Sequence, residues 1–283
     1  MNVRFSLPWI LAALLLAACP PAGAEDEKRT PEELVAKHLA SLGSEEARAA
    51  VKTRALAGAA SFLIRLGGNG EGSGAANILS DRRRTRIGLR FREVDYPGEQ
   101  AAFDGKSVTV GFVRPGQRSA LSQFIFHHDV ILREGLLGGV LTAGWALLDV
   151  ERRKPKLSSF GPKKIEGRSL YELSYRNRKG ATDLLISLYF EAETCRHVLT
   201  EYRLVVPSGM PEAPGRTGPR HTYHTVTESF DDFRVVDGLM LPHSYKLVYT
   251  VDLPNATYLA HWTISDIKIA HNAPMQDAFF LVQ

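Results

Sequence analysis

Apolar and polar residues alternate with a period of two over most of this chain, and one phase of that alternation is far richer in apolar side chains than the other. In the second half the rich phase reads Leu184, Ile186, Leu188, Phe190; Val198, Thr200, Tyr202, Leu204; Tyr245, Leu247, Tyr249; and Tyr258, Ala260, Trp262, Ile264. The opposite phase holds residues such as Asp183, Ser187, Glu201, Arg203, Lys246 and His261. Successive side chains of a strand point to opposite faces, so this pattern predicts long antiparallel strands with one covered face and one wetted face. Turn residues punctuate the strands at Asp104-Gly105, Lys179-Gly180 and Asp237-Gly238. The glycine stretch GGNGEGSG (67–74) reads as a flexible hairpin loop between the first two strands, and Asp231-Asp232 as a strand end.

Two segments change period. Thr30, Pro31 and Glu33 form a helix start, with a cap, a proline in the first turn and a glutamate three residues on. Leu34, His38 and Leu42 mark one face of that helix, Gly43 ends it, and Ser44 opens a second short one. From Gln117 to Asp149 the spacing is again helical, through Leu121, Phe124, Ile125, His128, Ile131 and Leu132. Beyond Gly135 the run LLGGVLTAGWALL is apolar all round and reads as a second helical piece buried on every side.

A sheet of about ten or eleven strands with one apolar face must close or be covered. The fold class expected is mainly β with helices: a curved antiparallel incomplete (half) β-barrel whose concave face is covered by those helices. In a hollow version, acyl chains would lie against Leu188, Tyr202, Leu247, Tyr249 and Trp262, under a lid carrying Phe124, Ile131 and Trp145. A densely packed core would use the same residues.

The amino end adds a destination. Arg4 and the apolar stretch Leu7–Ala18 read as an export signal over residues 1–24, too short for the roughly 20 residues of a membrane span. Leu16-Ala17-Ala18-Cys19 has the form of a lipobox, making Cys19 a candidate lipidation site; Ala22-Gly23-Ala24 offers an ordinary cleavage site instead. Residues 25–29 form a linker, and 30–283 a single domain carrying the 117–149 insertion and a Pro/Gly-rich loop at 207–219. Cys195 is the only other cysteine, so it is either a lone thiol on a strand or the partner of Cys19.

The formal charge of +4 is unevenly placed. Arg84, Arg86, Arg90 and Arg92 share one strand face, a stripe suited to anionic headgroups or to a protective charged edge. Outside the cytoplasm such basic patches point to an anionic membrane surface rather than to nucleic acid. Chemistry is sparse. The sequence has no G-x-S-x-G, H-E-x-x-H or P-loop, and His127-His128-Asp129 and His221/His224 are poorly spaced for one metal ion. No cofactor, metal site or catalytic residue is therefore expected.

The signal with its lipobox, the helix-to-strand opening PEELVAKHLASLGSEEARAAVKTRALAGAASF, and the later stretches ESFDDFRVVDGLMLPHSYKLVYT and ISDIKIAHNAPMQDAFF together resemble the LolA/LolB-type lipoprotein-sorting proteins of Gram-negative envelopes. That resemblance implies an open barrel with a helical lid over a hydrophobic cavity, binding the acyl chains of lipoproteins or other lipids. With Cys19 acylated and Pro20 after it, it implies an outer-membrane anchor. The insertion 117–149 and the 207–219 loop depart from the compact carriers. The readings left open are a non-enzymatic carrier or sorter of acyl chains in the periplasm or outer membrane, an anchored β scaffold binding another envelope protein, and, third, a hydrolase.

Overall fold

The computed structural model describes residues 28–65, 69–178, 183–207, 221–253 and 255–282. The export signal, Cys19, the Lys179-Gly180 turn and residues 208–220 of the Pro/Gly-rich loop lie outside the described residues.

Two short helices, α1 (Pro31–Leu42) and α2 (Glu45–Ala50), lead into the sheet. The α1 start is the expected capping box: Thr30 Oγ1 accepts from Glu33 N, and the Glu33 carboxylate accepts from Thr30 N. Five strands follow, β1 (Thr53–Arg65), β2 (Asn69–Asp81), β3 (Thr85–Phe91), β4 (Gly98–Phe103) and β5 (Val108–Val110). A connecting segment carries α3 (Ala120–His127), α4 (Val130–Arg133), two 3-10 turns (Gly139–Leu141 and Ala146–Asp149) and α5 (Val150–Arg153). Seven more strands then run from β6 (Lys156–Ile165) through β7 (Arg168–Arg176), β8 (Leu185–Glu191), β9 (His197–Pro207), β10 (His221–Val236) and β11 (Leu239–Leu253) to β12 (Ala256–His271).

All twelve strands form one antiparallel sheet in the order β5-β4-β3-β2-β1-β12-β11-β10-β9-β8-β7-β6. The chain thus enters mid-sheet, works outward to the β5 edge, crosses to the β6 edge and returns to pair β12 with β1. The crossing segment has to traverse one face of the sheet, and its sequence is apolar enough to stay there. It also fixes the curvature. Arg133 Nη1 donates to the carbonyl of Lys106 in the β4–β5 turn (2.7 Å), while its neighbour Glu134 accepts from Tyr175 Oη of β7 (2.8 Å). In a flat sheet β4 and β7 would stand about 43 Å apart, nine spacings of roughly 4.8 Å. Two adjacent residues reach both only because the sheet curls around them.

The predicted phase is the buried phase: Ile186, Leu188, Phe190, Tyr202, Tyr245, Ala260, Trp262 and Ile264 join one core with Leu121, Ile125, Ile131, Leu136 and Leu141 of the crossing segment. The sheet edges are guarded. β5 is three residues long, and β6 carries Lys156, Lys163, Lys164 and a bulge near Pro162.

Four expectations are corrected. The sheet has twelve strands rather than ten or eleven. The glycine stretch is strand from Asn69 onward, because a Cβ at Gly72 would strike the Phe62 ring and the Glu93 carboxylate, and the bare backbone lets both lie across it. The run after Gly135 is not a helix: Gly138 and Gly139 take positive φ (82° and 46°), and the chain passes through 3-10 turns while remaining buried. Asp231-Asp232 does not end a strand: Asp232, at φ 54°, lies inside β10, and the pairing with β11 keeps its register on either side, Asp231 with Ser244 and Phe233 with Pro242. A fifth expectation fails too: Cys195 is not on a strand but in the β8–β9 turn, at φ 56°, where its Sγ accepts from Arg29 Nη1.

Candidate functional site

Every residue expected to line a cavity is in the packed core. Leu188 and Tyr202 are fully buried, Trp262 is 1% exposed, and Tyr249 and Leu247 are 3% and 5% exposed. The expected lid residues press on them: Phe124 lies 5.4 Å from Tyr249, and Ile131 and Trp145 are sealed below the surface. Beside Leu247, between the sheet and Leu121, Ile125 and Leu137, there is a void of about 20 Å³. Such a space holds one water at most.

Three buried polar groups fasten the crossing segment to the sheet. Glu228, fully buried on β10, accepts from Gly138 N (2.6 Å), Tyr202 Oη (2.7 Å) and Tyr245 Oη (2.8 Å). Burial pushes its carboxyl up to about 7, against three donors that favour the anion. Glu99 on β4 receives Ser122 of α3 and Tyr96, whose hydroxyl accepts from Trp262 Nε1, and burial raises its carboxyl too. His38 of α1 accepts from Trp145 Nε1 at its Nε2 (3.1 Å). Its proton therefore sits on Nδ1, which donates to the Cys195 carbonyl (3.1 Å). Burial drives His38 down to about 4, so it stays neutral.

The open space lies on the other side of the crossing segment. A groove of about 910 Å³ runs between α1–α2 and residues 140–157, a size within the range of ligand pockets. Its apolar wall includes Val35, Leu39, Leu147, Leu148, Val150 and Leu157. Leu148 is 38% exposed, and Leu39, Val150 and Leu157 are half-buried, so this apolar surface is partly open to water. Among the groove residues are six arginines, Arg48, Arg54, Arg82, Arg83, Arg152 and Arg153, against four acidic ones, Glu32, Glu45, Asp149 and Glu151. Arg152 is bonded to Asp149. Arg82 Nη2 donates to the Ala49 carbonyl (2.7 Å), tying the β2–β3 turn to α2. Trp145 belongs to both regions, with its indole N–H on His38 and its edge on the groove.

The arginine stripe divides. Arg84 pairs with Asp81 and Asp277 and lies over the Phe280 ring, and Arg86 donates to Phe279 O and Gln100 Oε1. Both are engaged with the carboxyl-terminal turn or with β4. Arg90 and Arg92 are exposed. Three of the candidate histidines have ordinary partners: His127 bonds Gln123, His128 packs on Phe124, and His224 bonds Tyr249; His221 packs edge-on to Tyr223, its Nδ1 without a hydrogen-bond partner among the described residues. Among the described residues no three His, Cys, Asp or Glu side chains are grouped to hold a metal ion. Nor is any described helix long and apolar enough to cross a membrane.

Sequence reading missed Arg54, Glu228, Glu99 and the groove. The three charged residues did leave a signal. Arg54 shares a strand phase with Leu56, Ala60 and Phe62, Glu228 with Val226 and Phe230, and Glu99 with Ala101. A lone charge in an apolar phase marks a buried polar group that needs partners. The groove left none, because its walls come from segments far apart in sequence.

No family model matches the chain, and no curated protein matches it. Solved structures similar to it include a LolA superfamily protein from Nitrosomonas europaea, at 14% identity and a TM-score of 0.46, aligned over 90% of this chain and 98% of that one. A DUF1329 family protein from Desulfovibrio piger aligns at 11% identity and a TM-score of 0.41, over 88% of this chain and 96% of that one.

Proposed function

We propose that this is a cell-envelope protein that binds the acyl chains of a lipid or lipoprotein, and that the groove between α1–α2 and residues 140–157 is where it does so. The observation that carries this reading is a large, open, apolar-walled groove beside a core in which the residues first expected to line a cavity are buried against one another. Affinity comes from removing the exposed faces of Leu39, Leu148, Val150 and Leu157 from water, at roughly 25 cal/mol per Å². The export signal places binding outside the cytoplasm, and acylation of Cys19 would fix the protein to a membrane. Leu188, Tyr202, Leu247, Tyr249 and Trp262 then serve as the seat of the crossing segment. They would meet an acyl chain only if that segment, with Phe124, Ile131 and Trp145, lifted away. Arg90 and Arg92 remain available for an anionic membrane surface.

The filled core favours a second reading, an anchored scaffold that binds another envelope protein and carries no lipid. Native mass spectrometry of the protein taken from its own envelope separates the two. The carrier predicts extra mass released as intact lipid. It also predicts that Ala36→Trp, an exposed α1 position facing the groove, lowers that occupancy at least tenfold without changing the melting temperature. A bare chain, or unchanged lipid in Ala36→Trp, excludes the groove as the site.

A further inference from the structure

Arg54 stands out in the groove because it is a buried cation without a carboxylate. It is 4% exposed, and no ion pair joins it among the described residues. Its Nε donates to His271 Nε2 (3.0 Å), and its Nη1 to the carbonyls of Val140 (2.6 Å) and Thr142 (3.4 Å). Because His271 Nε2 accepts, its Nδ1 carries the proton and donates to Asp237, which keeps the ring neutral between the two charges. That leaves Nη2 of Arg54. It has no hydrogen-bond partner among the described residues and is not sealed from solvent, and Arg54 lines the groove. The free end of a buried guanidinium therefore faces the cavity. A second arginine, Arg48, also lines the groove; its Nη1 is shielded from solvent and has no hydrogen-bond partner among the described residues, so it too is a guanidinium with a donor unused by the protein. Arg83, exposed on the β2–β3 turn, also lines the groove.

Burying a guanidinium without a counter-charge is costly, and backbone carbonyls offset only part of that cost. The missing component is an anion, and an arginine fork matches the oxygens of a phosphate. Beside these donors lies the apolar wall formed by Leu39, Leu147 and Leu148. One molecule that satisfies both surfaces is an amphiphile with a phosphate head. We infer that the groove contains an anion subsite, centred on Arg54 and drawing on the groove arginines Arg48 and Arg83, that selects phosphate-bearing lipids over neutral ones. This rests on the reading of the groove as the acyl site and adds the chemistry of the head.

The test measures binding of three probes to the full mature chain, all below micellar concentration: dodecyl phosphate, dodecyl maltoside and inorganic phosphate. Dodecyl phosphate should bind at least tenfold more tightly than dodecyl maltoside, and at least a hundredfold more tightly than inorganic phosphate. Arg48→Gln and Arg54→Gln should cut the preference between the alkyl probes to threefold or less while leaving dodecyl maltoside binding unchanged. Arg54→Lys should restore part of it. Should Arg54→Gln fail to fold, Arg48→Gln and the exposed Arg83→Gln carry the measurement. Equal affinity for the two alkyl probes overturns the anion subsite but leaves the acyl groove standing. Binding of neither overturns the groove reading itself. Inorganic phosphate binding as tightly as dodecyl phosphate makes this a soluble-anion site and overturns the lipid assignment.

Discussion

The crossing segment has two sides, and they are built to opposite specifications. Toward the sheet it shares one buried core with the strands and is tied down by Glu228, Glu99 and His38. Toward α1 and α2 it borders about 910 Å³ of open groove, with arginines that have more donors than partners. A half-barrel supplies a concave hollow for a ligand, but here the chain's own connection between the two sheet edges occupies it. The space reappears on the outer side of that connection. Covering an apolar sheet face and keeping an apolar binding surface are therefore separate tasks in this molecule, done by the two faces of one segment.

If the inner side is a true core, damage there should be severe. Trp145→Ala removes one of the largest fully buried side chains and strips His38 Nε2 of its donor. The expected loss is about 4 kcal/mol of stability, read from urea unfolding, the usual scale for deleting a buried aromatic. A loss under 1 kcal/mol would show the segment to be a loosely seated lid. Next in size is Glu228→Ala, which leaves two tyrosine hydroxyls and the Gly138 N–H without an acceptor and should cost about 3 kcal/mol.

Glu228 also sets a pH dependence of definite sign. Its carboxyl titrates near 7 in the folded chain and near 4.5 unfolded. Between those values the folded state holds the extra proton, so raising the pH through this window lowers stability, by up to about 3 kcal/mol. Burial raises Glu99 as well, which adds a contribution of the same sign. Buried His38 and His197, held below the ordinary imidazole range, act in the opposite direction but equally in both proteins, so urea unfolding at pH 5 and pH 8 should show wild type losing stability relative to Glu228→Ala. Equal pH dependence in the two would mean that the carboxyl is not the buried acid described.

The strand phases were legible because a period of two survives any tertiary detail, and a slip of one residue at Trp262 or Tyr202 would have put an aromatic ring in water. The capping box at Thr30 and the Asp237-Gly238 turn were legible for the same reason: each is decided within four residues. The hollow was not. Whether Leu247 faces a ligand or faces Leu137 depends on where a segment 110 residues earlier comes to rest, and periodicity carries no such information. The glycine stretch misled for a related reason. Glycines that admit a Phe62 ring across the backbone look, in sequence, the same as glycines that loosen a loop.

The smallest effect addresses the outer side. α1 forms one wall of the groove, held at its start by the Thr30–Glu33 capping box and along its length by Leu34, Val35, His38 and Leu42. Thr30→Ala removes the hydroxyl that accepts from Glu33 N and should cost about 1 kcal/mol. The distribution of that cost matters more than its size. A wall that opens apart from the core would concentrate it locally, so amide exchange should quicken in the first turns of α1 while the amides of β10 and β11 keep their protection. Should protection fall equally in all three, α1 and the sheet open as one unit. The groove could then widen only by disturbing the core, and the two sides of the crossing segment would be energetically inseparable.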